Sequence, residues 1–123
     1  MKEKKFDIEE RLIDFAVEIV LFTEVLPNSK SALHLGGQLL RSGTSPSLNY
    51  GEAKGAESKN DFLNKMKLCL KELRESYNCL RILQKAKIYK SEERIIELVG
   101  ECNELISIFI KSVHTASKPK PTS

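Results

Sequence analysis

Apolar residues early in the chain recur at three- and four-residue steps. Ile8, Leu12, Phe15, Ala16, Ile19, Phe22 and Leu26 fall on one stripe, which predicts an amphipathic helix over about 8–26. Asp7 and Glu10 open it as a D-x-x-E capping pair, and Pro27 stops it. "PNSKS" leads into a second helix over about 30–54. Phe62, Met66, Cys69, Leu70, Leu73, Tyr77, Leu80 and Leu83 predict a third over 59–86, capped by Ser58 with Asp61. Ile95, Leu98, Val99, Cys102, Leu105, Ile106, Phe109, Ile110 and Val113 predict a fourth over 91–114. Its opening "SEER" supplies a cap and two acids that complement the helix dipole. Strand-style alternation is absent. The pattern predicts an all-α, antiparallel up-down-up-down four-helix bundle over residues 1–115, because short connections set successive helices side by side. Residues 116–123, with two prolines, are expected to form a disordered tail.

The second helix departs from the simple pattern. Ala32, Gly36, Gly43 and Ser47 place small residues on one face, where another helix can approach closely. Pro46 lies in its interior and predicts a kink, since proline removes one backbone bond and crowds the carbonyl four residues back. Gly55 and Ser58 read as a stop and a start. A phosphate-binding GxxxxGK[ST] loop would need an upstream strand and a Lys after its second Gly, and neither is present. The wide apolar face of the fourth helix and the small-residue face of the second would both stay exposed in a monomer. Self-association with closed symmetry is the simplest remedy.

Composition narrows the function classes. The length of 123 residues suits one domain. The longest apolar run, "AVEIVLF", contains Glu18 and is too short to span a bilayer. No secretory leader pattern is evident, so a soluble, cytoplasmic protein is expected, with no membrane partner. Cys69, Cys79 and Cys102 match no metal-ligand or disulfide spacing and read as small buried hydrophobes. No metal or other cofactor is expected. His34 and His114 are the only histidines, and they fall on different predicted helices. No catalytic residue is assigned and no enzyme is expected. Arg41, Asn49 and Glu52 could meet one another or Lys54; this grouping reads as a structural polar network or interface before it reads as an active site.

The net charge of +3 is modest, so its placement matters more than its sum. Lys67, Lys71, Arg74, Arg81 and Lys85 step by four, three, seven and four, and span only about 80° of the third helix. Asn60, Asn64 and Asn78 lie on or beside that strip, with Glu72 and Glu75 to one side. The strip is either a solvated face or a nucleic-acid contact that tracks a phosphate backbone.

Residues 38–83 carry a longer pattern: Gln38-Leu39, Arg41-Ser42-Gly43-Thr44-Ser45, Asn49, Glu52-Ala53, Ala56-Glu57-Ser58, Asp61-Phe62, Lys65, Leu70-Lys71-Glu72 and Glu75-Ser76. This resembles the four-helix-bundle family of the bacterial 23S rRNA intervening-sequence protein, related to the accessory variability determinant proteins of diversity-generating retroelements. The resemblance implies a bundle assembled as a homopentamer, and RNA or DNA as a partner through a basic surface. A reverse transcriptase is the partner implied for the retroelement branch. Two departures stand out: Pro46-Ser47-Leu48 where the family more often has Ile-Gly-Ala or Ile-Pro-Ser, and Cys79 where it favours an aromatic. The expected function is a non-enzymatic, oligomeric nucleic-acid-binding or scaffolding protein. The alternative is a protein-interaction adaptor, for instance for a reverse transcriptase, without direct nucleic-acid contact.

Overall fold

The computed structural model describes residues 7–119. Four α-helices follow in chain order, α1 (Ile8–Glu24), α2 (Lys30–Lys54), α3 (Lys59–Lys85) and α4 (Glu92–Ser117), with no strand among the described residues. Each begins at a side chain that accepts a hydrogen bond from an otherwise orphaned backbone N–H. Asp7, Ser29, Ser58 and Ser91 receive the N–H groups of Glu10, Ala32, Asp61 and Arg94.

The ends differ slightly from the pattern read in the chain, and proline explains two of them. α1 stops at Glu24 rather than Leu26, because the residue before Pro27 is pushed away from helical geometry. α4 continues past His114 to Ser117, and Lys118 turns extended (φ −69°, ψ 139°) before Pro119. Ala116 and Ser117 therefore belong to the helix and not to a tail, and residues 120–123 lie outside the described residues. α3 ends at Lys85 with a double closure. The Lys87 N–H bonds the Gln84 carbonyl, and the Ile88 N–H reaches back to Leu83. This is a Schellman arrangement, with Lys87 in the left-handed position (φ 56°) that glycine usually takes.

Each helix packs on its neighbour in sequence, most extensively α2 on α3, whereas α1 and α4 meet over only a short stretch. The paired residues rise in number along one helix as they fall along the next. Glu9 pairs with Lys54, and a side chain at Gly43 would meet Ile19. Glu52, Pro46 and Ser42 meet Lys65, Cys69 and Ser76. Leu73 meets Cys102, and Arg11 and Glu18 meet Glu101 and Arg94. Between the helices lies an aliphatic core with three phenylalanines, Phe15, Phe22 and Phe109. Burying a side chain of this size contributes about 1.5–3 kcal/mol. Tyr50 meets Phe109 edge-on at 6.0 Å, and Tyr89 packs on Phe22 at 4.4 Å.

α2 is continuous through Pro46, which is buried. Three of its four small residues are not left for a partner. Ala32, Gly36 and Gly43 are buried within the chain, Gly36 beneath Leu26 and Gly43 against Ile19. The apolar face of α4 is likewise mostly used inside the bundle, with Ile96 and Ile110 as its large exposed apolar residues. Most of the unused apolar surface lies instead on α1 and α2. Ile13, Val17, Val20 and Leu21 form a second, outward stripe on α1, and Leu48 is 70% exposed beside it. Together with Ala16, Thr44 and Ser47 they line an almost wholly apolar groove of about 270 Å³.

Candidate nucleic-acid interface

The outer face of α3 is built by what the inner face consumes. Met66, Cys69, Leu73, Leu80 and Leu83 turn into the core, which fixes the rotation of the helix. Lys67, Lys71, Arg74 and Lys85 are thereby exposed, as are Asn60, Asn64 and Asn78. Arg81 is half-buried: one guanidinium nitrogen reaches the Tyr77 hydroxyl at 3.5 Å, and its buried Nε has no hydrogen-bond partner. The strip runs about 27 Å from Lys67 to Lys85 at helical rise.

The two acids beside this strip are committed elsewhere. Glu72 is buried, and its carboxylate accepts from Arg41 of α2 at 2.8 Å. Glu75 accepts from the other arm of the same guanidinium. The bonds to Glu75 and Glu72 raise the Arg41 pKa above its ordinary value. Among the described residues, no carboxylate stands within ion-pair distance of Lys67, Lys71, Arg74 or Lys85. Negative charge collects across the molecule instead. Asp14, Glu18, Glu97 and Glu101 line a groove of about 470 Å³ between α1 and α4, with Arg94 among them.

Arg41, Asn49 and Glu52 do not form one network. The Asn49 amide turns back along its own helix to the Ser45 carbonyl and hydroxyl, at 3.0 and 2.8 Å. Glu52 pairs with Lys65 at 3.2 Å, and Lys54 crosses to Glu9 at 3.0 Å. The reason is spacing: Arg41 lies about 12 Å along α2 from Asn49. What Arg41 and Glu52 share is the seam between α2 and α3. Arg41 clamps Glu72 and Glu75, the buried Ser42 and Ser76 hydroxyls bond at 2.9 Å, and Glu52 meets Lys65 further down. Residue spacing along one helix gave no access to these partners, which all sit on the next helix. The same seam accounts for Arg41, Ser42, Glu52, Lys65, Glu72, Glu75 and Ser76 of the pattern over 38–83.

Other chemistry is sparse among the described residues. His34 and His114 are exposed on different helices. No group of three or more His, Cys, Asp or Glu is placed to hold a metal ion there, and no helix is long and apolar enough to cross a membrane. Burial pushes the Cys69 and Cys102 thiols up to about 12, which suppresses the reactive thiolate.

The architecture is that of an all-α four-helix bundle whose second and third helices are joined by a polar clamp and whose third presents a cationic strip. The chain belongs to the 23S rRNA-intervening sequence protein family, which it matches over residues 4–111. It is also similar to a crystal structure from Bacteroides thetaiotaomicron VPI-5482, described as a protein of unknown function from the S23 ribosomal protein family. That likeness has 31% identity and a TM-score of 0.79, and covers 86% of this chain and 97% of the other. No curated protein matches the chain.

Proposed function

We propose that the chain is a non-enzymatic nucleic-acid-binding protein that acts as an assembly of several copies in the cytoplasm, with the outer face of α3 as its contact surface. The observation that supports this reading is the separation of charge on α3. Glu72 and Glu75 are held by Arg41, so the strip carries four exposed cations with no acid of their own among the described residues. Such a surface binds phosphates by releasing their counterions. Lys71→Glu with Arg74→Glu is expected to weaken binding to RNA or DNA and to flatten its salt dependence, read by fluorescence anisotropy. Unchanged affinity would sink the assignment. It would favour the adaptor role, in which the strip serves solvation and a protein such as a reverse transcriptase is the partner.

The assembly uses the outward apolar face of α1 and α2. Val17, Leu21 and Leu48 are 49%, 54% and 70% exposed there, around an apolar groove. A second copy of the chain removes this surface from water, and a ring of five is the state implied by the sequence resemblance. Light scattering tests it. The wild-type chain is expected well above the 13.9 kDa of one copy, and Leu21→Glu with Leu48→Glu close to it. A wild-type monomer, or an assembly indifferent to both substitutions, overturns this part.

A further inference from the structure

The spacing of the cations on α3 narrows the nucleic acid. They fall into two groups: Lys67, Lys71 and Arg74 toward the start, Arg81 and Lys85 toward the end. The centres of the groups are about 18 Å apart along the axis. Between them, on the same strip, stands the exposed Asn78. No cation, acid or exposed aromatic side chain interrupts the interval on that face: Glu75 is turned to Arg41, and Tyr77 is half-buried beside Arg81.

A single strand is held by a basic groove lined with aromatic platforms on which bases stack. α3 offers neither, being an outer helix face whose Phe62 and Tyr77 are both packed against the core. A duplex presents a different target, two phosphate rails separated by a groove. The wide groove of B-form DNA is about 12 Å across, and the phosphates that border it stand further apart than that, within reach of flexible cation side chains whose two groups are centred about 18 Å apart. The shallow groove of A-form RNA is also wide. We infer that α3 lies across the wide groove of a nucleic-acid duplex, with the two cation groups on opposite phosphate rails and Asn78 over the groove between them. This rests on the reading of α3 as the nucleic-acid face. Asn78 can donate to and accept from base edges or 2′-hydroxyls, whereas the cations contribute no sequence preference.

The test uses the full chain, DNA and RNA duplexes of about 20 base pairs, and their separated strands, with anisotropy read against salt. One or both duplexes are expected to bind about tenfold tighter than the strands, with a salt slope of about −4.5 on DNA if all five cations engage. Whichever duplex binds more tightly identifies the source of the rails. Lys71→Gln with Arg74→Gln, and separately Arg81→Gln with Lys85→Gln, are each expected to reduce that slope by about 2. Lys85→Gln alone, at an exposed site, reduces it by about 1 and guards against misfolding of the half-buried Arg81 variant. Asn78→Asp sets a carboxylate between the rails and is expected to weaken duplex binding more than strand binding. Single strands bound as tightly as duplexes, with the strip variants still weakening them, would overturn the duplex assignment and leave the proposed function standing. A slope that responds to only one cation group would also overturn it. Absence of binding to every probe would remove both.

Discussion

At the scale of single residues, glycines in one helix have opposite roles. A Cβ at Gly43 would lie 2.8 Å from two side-chain carbons of Ile19, which is itself fully buried and has no room to turn aside. Gly43→Ala is therefore expected to cost about 1–2 kcal/mol net of the helix propensity it gains, measured by urea unfolding. At Gly37 nothing lies within 4 Å, so Gly37→Ala should stabilise by up to about 1 kcal/mol in the same experiment. Lys87 presents a third case. Its left-handed backbone suits a residue without a side chain, while both bonds of the α3 closure are made by the backbone. Lys87→Gly is expected to raise the melting temperature, by an amount corresponding to about 0.5–1 kcal/mol.

At the scale of helices, the two kinds of seam are held by different forces. α2 and α3 join by buried contact plus the Arg41 clamp and the Ser42–Ser76 bond. α1 and α4 touch briefly and are fastened by Arg11 to Glu101 and Glu104, and by Arg94 to Glu18. Arg11 makes two 2.8 Å bonds to Glu101 with its own side chain almost wholly buried, and that pairing raises its pKa against the opposing effect of burial. Arg11→Ala should cost about 2 kcal/mol in chemical unfolding, less than a fully buried pair because Glu101 and Glu104 can return to water. Arg11→Met should recover part of this by keeping the packing.

The four helices, three of their four caps (Asp7, Ser58 and Ser91) and their main stripes were legible in the chain because those signals are local. Asp7, Ser29, Ser58 and Ser91 cap within three residues of themselves. The burial of Arg11 and Glu72 was not legible, because it depends on partners from other helices. Nor was the exposure of Ile13, Val17, Val20 and Leu21, an apolar stripe beside the one that α1 buries. Periodicity says that a face is apolar, not which face meets a neighbour. For the same reason the small residues of α2 suggested a surface for another copy, whereas Leu26 and Ile19 already occupy it at Gly36 and Gly43, and only Ser47 is left in the outward groove. The α3 strip was visible as spacing, but the removal of Glu72 and Glu75 from it required the position of Arg41.

At the scale of the whole molecule, charge and apolar surface are sorted onto separate faces. The cations lie outward on α3, the acids gather between α1 and α4, and the exposed apolar stripe runs along α1 and α2. A net charge of +3 conceals that division. Global stability should also depend on alkaline pH through the interior. Burial raises the Cys69 and Cys102 thiols from 9.0 to about 12, and Cys79 shifts in the same direction. Above pH 9 the unfolded chain loses thiol protons that the native chain keeps. Stability from this source is thus full below pH 9 and falls as pH rises toward 12. Each such group contributes up to about 1.4 kcal/mol per pH unit, and Cys102→Ala should flatten the decline in urea midpoint with pH.

The unequal seams also set an order of events in time. The α2–α3 hairpin gathers the densest packing between helices adjacent in the chain, whereas closing α1 onto α4 brings together residues as far apart as Arg11 and Glu101. Loop closure over that length costs entropy before any contact repays it. The chain is expected to reach its folding transition state as a hairpin and to shut the bundle afterwards. In φ-value terms, Ser76→Ala, which removes the Ser42–Ser76 bond of that hairpin, should slow folding, while Arg11→Ala should leave the folding rate nearly unchanged and speed unfolding.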